Sequence, residues 1–96
     1  MSRDDLLSLL TQHKPALQRR FGVTRLALFG SRAREQDREG SDVDVLVAFD
    51  GPATSARYFG VQFYLEDLLD SPIDLVTETA LRTELRSFVE RDAIHV

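Results

Sequence analysis

The apolar residues near the start of this chain recur with the period of a helix. From about Arg3 to Arg20, leucines fall at helical intervals, and Ser2 or Asp4 is placed to cap the first turn. Gly22 is placed to end the helix. Pro15 lies inside this stretch, so we expect it to kink or divide the helix.

The period then changes to that of strands. Val23 to Phe29 is a short, mostly apolar run of strand formers that ends at Gly30. Residues 32 to about 40 have little apolar content and are expected to form a short exposed helix or turn. From Asp42 to Phe49 the residues alternate, which predicts a second strand with one fully apolar, core-facing side. That side consists of Val43, Val45, Val47 and Phe49.

The second half of the chain predicts helix, strand and helix. Thr54 or Ser55 can cap a long helix that runs to about Asp70, and its apolar residues cover more than the stripe of a half-exposed helix. Packing between the sheet and the terminal helices is the favoured explanation of this surplus, and a partner surface for part of it is the alternative. Gly60 allows a local bend. Residues 73–76 predict a strand, and Thr77 or Thr79 opens a last helix over residues 80 to about 91.

These elements predict an α+β fold, a small mixed β-sheet covered by helices in the order α-β-α-β-α-β-α. Ninety-six residues suit a single domain spanning 1–96. A catalytic domain and a separate substrate-binding domain do not fit in this length. We therefore expect any large co-substrate to come from another molecule.

Composition excludes several kinds of site. The chain has no cysteine, which excludes disulfides and a cysteine nucleophile, and His13 and His95 lack the spacing of a zinc site. The charged N-terminus lacks the apolar run of a signal peptide, and no stretch approaches the roughly 18 apolar residues of a membrane span. We expect a soluble, cytoplasmic protein with no membrane contact.

Charge is distributed unevenly along the chain. Residues 1–40 carry eight Lys and Arg against five Asp and Glu, for +3, whereas residues 41–96 carry four against eleven, for −7. A continuous basic track for nucleic acid is therefore disfavoured. Eleven of the twelve cations are arginine, which suits phosphate binding, although a GC-rich coding genome gives the same bias.

The turn after the first strand has the chemistry of a phosphate site. Gly30 lets backbone N–H groups approach a phosphate, Ser31 adds a hydroxyl donor, and the following helical turn adds a positive dipole. Arg32 and Arg34 are placed to hold a triphosphate, or else are solvated helix residues. A Gly-Ser pair alone is also a common turn, and the glycine-rich Walker loop is absent.

Three aspartates suggest a divalent metal site. Asp42 and Asp44 lie two apart on a strand, so both carboxylates leave the same face and can share a pair of Mg²⁺ ions. Asp44 lies amid apolar residues, where an unpaired buried charge is costly without a cation. If the strand that carries Asp74 lies beside this one, Asp74 joins the cluster and helps to ionise an attacking hydroxyl; an edge-strand charge is the alternative.

The combined pattern resembles a known family. Leu28-Phe29-Gly30-Ser31, ten intervening residues, Asp42-Val43-Asp44, and Asp74 in a later strand are similar to the DNA polymerase beta superfamily of nucleotidyltransferases. Within it, the chain length and the run Gly30-Ser31-Arg32-Ala33-Arg34 resemble the minimal nucleotidyltransferases, the MNT proteins of the MntA-like antitoxin type.

This resemblance implies a function. It implies two Mg²⁺ ions held by Asp42, Asp44 and Asp74, and an ATP triphosphate against Gly30 and Ser31. In-line attack on the α-phosphate would transfer AMP and release pyrophosphate. Relatives in this group are encoded beside a HEPN-domain ribonuclease toxin and can silence it by attaching AMP to a tyrosine hydroxyl. The resemblance thus implies the antitoxin of a type VII-like toxin–antitoxin pair, in a hetero-oligomer with its toxin.

Two other functions compete with this hypothesis. One is an antitoxin that neutralises its partner by docking through the aromatic helix at residues 58–69, without catalysis. The other is a metal-dependent phosphohydrolase or nuclease built on the same acids. The acidic second half of the chain argues against the nuclease.

Overall fold

The computed structural model describes residues 2–33, 42–80, 89 and 91–96. Helix α1 spans Arg3–Phe21 and begins with a capping box, in which the side chains of Ser2 and Asp5 each accept a hydrogen bond from the other residue's N–H. Gly22, at φ 76°, ends the helix in the left-handed conformation. The sequence therefore predicts both ends of α1 to within one residue.

Pro15 lies inside α1, and the helix continues through it without interruption. The helix is therefore not divided there. Leu10 and Leu17, on either side of the proline, are both fully buried. Packing of these leucines holds both halves of the helix against the core. This packing offsets the free-energy cost of the backbone hydrogen bond that proline cannot make.

Within the described part of the chain, four strands form one mixed sheet in the order β3-β2-β1-β4. They are β1 (Val23–Phe29), β2 (Val43–Phe49), β3 (Ile73–Thr77) and β4 (Ile94–His95). Strand β2 runs parallel to β3 and antiparallel to β1, and β1 runs antiparallel to β4. The prediction of a small mixed sheet is confirmed. Strand β4 was not predicted, because two residues are too few to show a period.

The remaining elements connect these strands. Helix α2 is a single turn, Gly30–Ala33, and the rest of the predicted short helix lies outside the described residues. Helix α3 spans Ser55–Leu69, with Thr54 as its N-cap. A 3₁₀ turn follows at Glu78–Ala80, and the predicted last helix falls mostly on residues 81–88 and 90, outside the described part. Among the helices described here by their residue ranges, none combines the length and the hydropathy that a bilayer span requires.

Helices α1 and α3 pack on one face of the sheet, and the hydrophobic core lies between these helices and the sheet. On β2, the predicted core residues Val43, Val45 and Val47 are fully buried, and Phe49 is half-buried at the strand end. The other principal members of the core are Leu6, Leu10, Leu17, Leu26, Leu28, Val61, Leu65, Leu69, Ile73 and Leu75. The opposite face of the sheet carries the alternate residues, among them the aspartates.

Candidate active site

The turn after β1 bends at Gly30, which has φ 74°. This is the left-handed region that side-chain-bearing residues rarely adopt. The single helical turn that follows is held from α1, since Arg3 Nη1 donates a hydrogen bond to the carbonyl of Ala33 at 3.3 Å. This contact was not predicted, because it joins residues 30 apart in the chain. Ser31 and Arg32 follow Gly30 in α2, and Arg34 lies outside the described residues.

Gly30 lies directly against the carboxylate of Asp44. A Cβ atom at Gly30 would overlap Oδ2 of Asp44 and stand 2.9 Å from its Cγ. Only glycine therefore fits both the backbone angle and the space. The turn predicted to bind phosphate faces one of the carboxylates predicted to bind metal.

The sheet places two of the three aspartates side by side. Asp44 of β2 and Asp74 of β3 are partners in the parallel register, and Phe29 of β1 is the antiparallel partner of Asp44. Register partners leave the same face of a sheet, so these three residues form one row across it. Asp44 is partly buried and Asp74 is exposed. Asp42 is exposed and directly precedes β2.

The next row of this face is apolar. It consists of Ala27, Leu46 and Val76, of which Ala27 and Leu46 are almost completely buried. The acid row therefore lies at the end of the sheet, bounded on one side by apolar side chains. Such a boundary lowers the local dielectric and strengthens the interaction of the carboxylates with any cation.

A hydroxyl group fixes the strand that carries Asp74. Tyr58 of α3 donates a 2.7 Å hydrogen bond from its hydroxyl to the carbonyl of Leu75, the residue after Asp74. The sequence predicts Tyr58 only as an apolar helix residue. Its polar end instead ties α3 to the edge of the sheet.

The described acidic side chains do not converge into a set of metal ligands. Within residues 2–33, 42–80 and the described C-terminal positions, no three acidic or histidine side chains stand close enough together to hold an ion. The ligand set of Asp42, Asp44 and Asp74 thus stays a prediction. Its chemistry fits Mg²⁺, since three carboxylates supply only hard oxygen donors.

A cleft of about 360 Å³ opens at the other end of the strands. Arg25 and Glu78 line it and form an ion pair at 3.5 Å. Arg25 pairs in register with Ala48, four residues along β2 from Asp44. The cleft is therefore separate from the acid row, which lies open at the surface.

Comparison with known proteins identifies the chain as a nucleotidyltransferase domain. The family model of the nucleotidyltransferase domain matches residues 10–96. The protein adenylyltransferase MntA of Thermococcus cleftensis is 35% identical over 96 residues, which cover 100% of this chain and 97% of that protein. A solved structure described as a minimal nucleotidyltransferase is 38% identical with a TM-score of 0.78, covering 98% of this chain and 95% of the other.

A more distant structure shares the fold. It is the complex of a tri-AMPylated HEPN toxin of Shewanella oneidensis with its MNT antitoxin. The match has a TM-score of 0.60 and 22% identity, and covers 97% of this chain and 66% of the other.

Proposed function

Because this chain belongs to the family of nucleotidyltransferase domains, we propose that it is a protein adenylyltransferase that transfers AMP from ATP to a cognate HEPN-type toxin. The acceptor is a hydroxyl group, which we assign to a tyrosine, and the modification silences the toxin. The observation that carries this proposal is the pairing of Asp44 with Asp74 in a row that lies against Gly30.

The proposed reaction is in-line substitution at the α-phosphate. The acceptor oxygen forms a bond to the α-phosphorus, and the bond from that phosphorus to the bridging oxygen of the β-phosphate breaks. Pyrophosphate leaves with the electron pair. The proton of the acceptor hydroxyl passes to a carboxylate, which we assign to Asp74 because it is the exposed member of the row. Gly30 lets the triphosphate approach the backbone of the turn, with Ser31, Arg32 and Arg34 as further nucleotide contacts.

Two Mg²⁺ ions belong to this proposal, with Asp42, Asp44 and Asp74 as their ligands. The carboxylate row beside a turn that only glycine can occupy supports this assignment. When bound, Mg²⁺ offsets the charge of the triphosphate and stabilises the departing pyrophosphate. The protein supplies the row itself, which the backbone register of β2 and β3 holds in place.

The proposed acceptor rests on the relatives. The curated relative that this chain matches over its length is named a protein adenylyltransferase, and the Shewanella oneidensis antitoxin of the same fold is bound to a HEPN toxin that carries AMP.

A labelling experiment tests the reaction. The purified protein is incubated with Mg²⁺, the product of the neighbouring gene, and ATP labelled on either the α- or the γ-phosphate. We expect α-label on the partner protein and γ-label in released pyrophosphate. Label from γ-phosphate on the partner would indicate phosphoryl transfer instead, and inorganic phosphate as the main product would indicate a hydrolase.

A double variant separates catalysis from neutralisation by binding. We expect Asp42→Asn with Asp44→Asn to leave the fold intact, to abolish transfer and to leave the toxin active in cells. Asp4→Asn, at an exposed acid on α1, is the control and should neutralise normally. A double variant that still neutralises the toxin would show that docking is sufficient.

A further inference from the structure

Helix α3 carries a stripe of exposed residues along the side that faces away from the core. The stripe consists of Ala56, Phe59, Phe63, Asp67 and Asp70, spaced three or four apart. Phe59 is 49% exposed and Phe63 is 63% exposed, and their rings stack with centroids 6.2 Å apart. Exposure on this scale is costly for two adjacent aromatic rings, since each forgoes about half of the free energy that full burial would supply. The stripe therefore has the character of a contact surface.

The charged residues of α3 interact unfavourably with the dipole of the helix. The first turn has no acidic residue, and the last turn has no basic residue. Acids lie instead at the C-terminal end, where Glu66, Asp67 and Asp70 add negative charge to the negative pole of the helix. The stripe is thus apolar toward the N-terminal end of α3 and acidic toward the C-terminal end.

A hollow lies beside the exposed rings. It forms in the groove between α1 and α3, has a volume of about 360 Å³, and includes Phe21, Gly60 and Tyr64 in its lining. Gly60 packs so closely on Phe21 that an added Cβ would stand 2.9 Å from the Cδ1 atom of that ring. Glycine at this position therefore lets α1 and α3 approach closely, and the hollow lies beside this contact, next to Phe63.

We infer that this surface binds a second copy of the chain, with the two α3 helices packed antiparallel about a two-fold axis between Gly60 and Phe63. In that arrangement Phe63 of each copy faces Gly60 of the other and enters its hollow. The acidic end of each helix lies beside the N-terminal end of the other, near Ser55 and Ala56. The arrangement places the acids of each helix near the positive pole of the other, which is favourable for both helices. It also uses the same surface patch of both copies, as a two-fold interface requires.

The charge pattern favours this occupant over an unrelated helix. A self-complementary surface needs a protrusion and a recess on opposite sides of one axis. Phe63 and the hollow beside Gly60 supply these two parts, and the acids of each α3 face the positive pole at the N-terminal end of the other. A two-helix contact of this length lies at the low end of specific interface areas, so the dimer should dissociate on dilution.

The first test is the mass of the purified protein as a function of concentration, measured by sedimentation. We expect the mass to rise from 10.9 kDa toward twice that value. Phe63→Ser should weaken the association by about tenfold or more, because it removes the central aromatic contact. Since Phe63 is largely exposed, this variant should keep the wild-type circular dichroism spectrum and unfolding midpoint.

The second test uses the absence of cysteine from the chain. Ala56→Cys and Asp67→Cys are made in separate chains and mixed under mild oxidation. Antiparallel packing about the stated axis brings these two positions together, so the mixed disulfide should be the main product. A mixture of Ala56→Cys with Ser8→Cys, an exposed position on α1, is the control and should yield little. Residues 56 and 67 of one chain are about 16 Å apart along the helix, too far to be linked within it.

Three outcomes would overturn the inference. They are a mass of one chain throughout the concentration range, identical association of wild type and Phe63→Ser, and equal yields of the two mixed disulfides. If the protein is monomeric and Phe63→Ser instead abolishes binding to the product of the neighbouring gene, the stripe is the docking surface of that partner. None of these measurements depends on the proposed transfer of AMP.

Discussion

Gly30 and the carboxylate of Asp44 are in direct contact, so that a methyl group at position 30 would stand 2.9 Å from the Cγ atom of Asp44. The contact joins the turn after β1 to the strand that carries the acids. In the proposed mechanism, this contact determines where the triphosphate lies relative to those acids. The proposed chemistry depends on this relationship more than on any single charge.

Gly30→Ala should therefore abolish activity. Alanine is strained at φ 74° and would push the side chain of Asp44 from its position, at a combined cost to the free energy of unfolding of about 1–3 kcal/mol. Transfer of AMP and thermal unfolding are measured together. Gly51→Ala is the matched control, since its Cβ would meet only Arg57 Nη1 at 3.6 Å. Equal activity of the two variants would contradict the assigned role of the turn.

Asp74→Asn should separate activity from stability. We expect transfer to fall by about 100-fold or more, because the variant loses the proposed proton acceptor. The free energy of unfolding should stay constant or rise by about 0.5 kcal/mol, since the substitution removes one of two like charges paired across β2 and β3. Single-turnover rates and urea unfolding measure the two effects. A variant as active as wild type would remove Asp74 from the mechanism.

Tyr58→Phe should impair the site from a distance. The variant loses the hydrogen bond from the tyrosine hydroxyl to the carbonyl of Leu75, next to Asp74, at a cost of about 1 kcal/mol. Tyr64→Phe is the matched control, because its hydroxyl bonds His13 Nδ1 at 2.6 Å between α1 and α3. Both variants should lose similar stability, and only Tyr58→Phe should slow transfer. Equal rates of transfer by Tyr58→Phe and Tyr64→Phe would show that the Tyr58 hydrogen bond contributes only to stability.

Gly60→Ala tests the close approach of α3 to α1. Alanine gains about 1 kcal/mol of helix propensity, but its Cβ would overlap the ring of Phe21, and we expect overpacking to outweigh the gain by about 1 kcal/mol. Phe21→Leu should relieve the clash, so that Gly60→Ala in that background stabilises the protein. Urea unfolding of the four proteins in this cycle measures the coupling. Additive effects would contradict the proposed clash.

Local pattern predicts most of the fold and only part of the site. Alternation along β2 identifies the buried side, and Gly22 identifies the end of α1, because both signals lie within a few residues. Gly60 was interpreted as a bend, whereas its partner Phe21 lies 39 positions earlier and is brought close only by packing. A short strand such as β4 has no detectable period.

The register that pairs Asp44 with Asp74 also depends on tertiary structure. These residues belong to parallel strands, whose alignment is set by the crossover through α3 and not by a hairpin turn. The sequence therefore predicts the three acids as a site, whereas the alignment of Asp44 with Asp74 is seen only in the structure. The roles of Asp42, Ser31, Arg32 and Arg34 stay predictions.

The most direct test of the central claim is the intact mass of the partner toxin after incubation with this protein, ATP and Mg²⁺. We predict that the wild-type protein increases the mass by one or more AMP units, and that Asp44→Asn and Asp74→Asn, while remaining folded, each leave it unchanged over the time in which the wild-type protein modifies all of the toxin. An unmodified toxin with the wild-type protein, or a modified toxin with either variant at the wild-type rate, would contradict the assignment of the Asp44–Asp74 row as the active site.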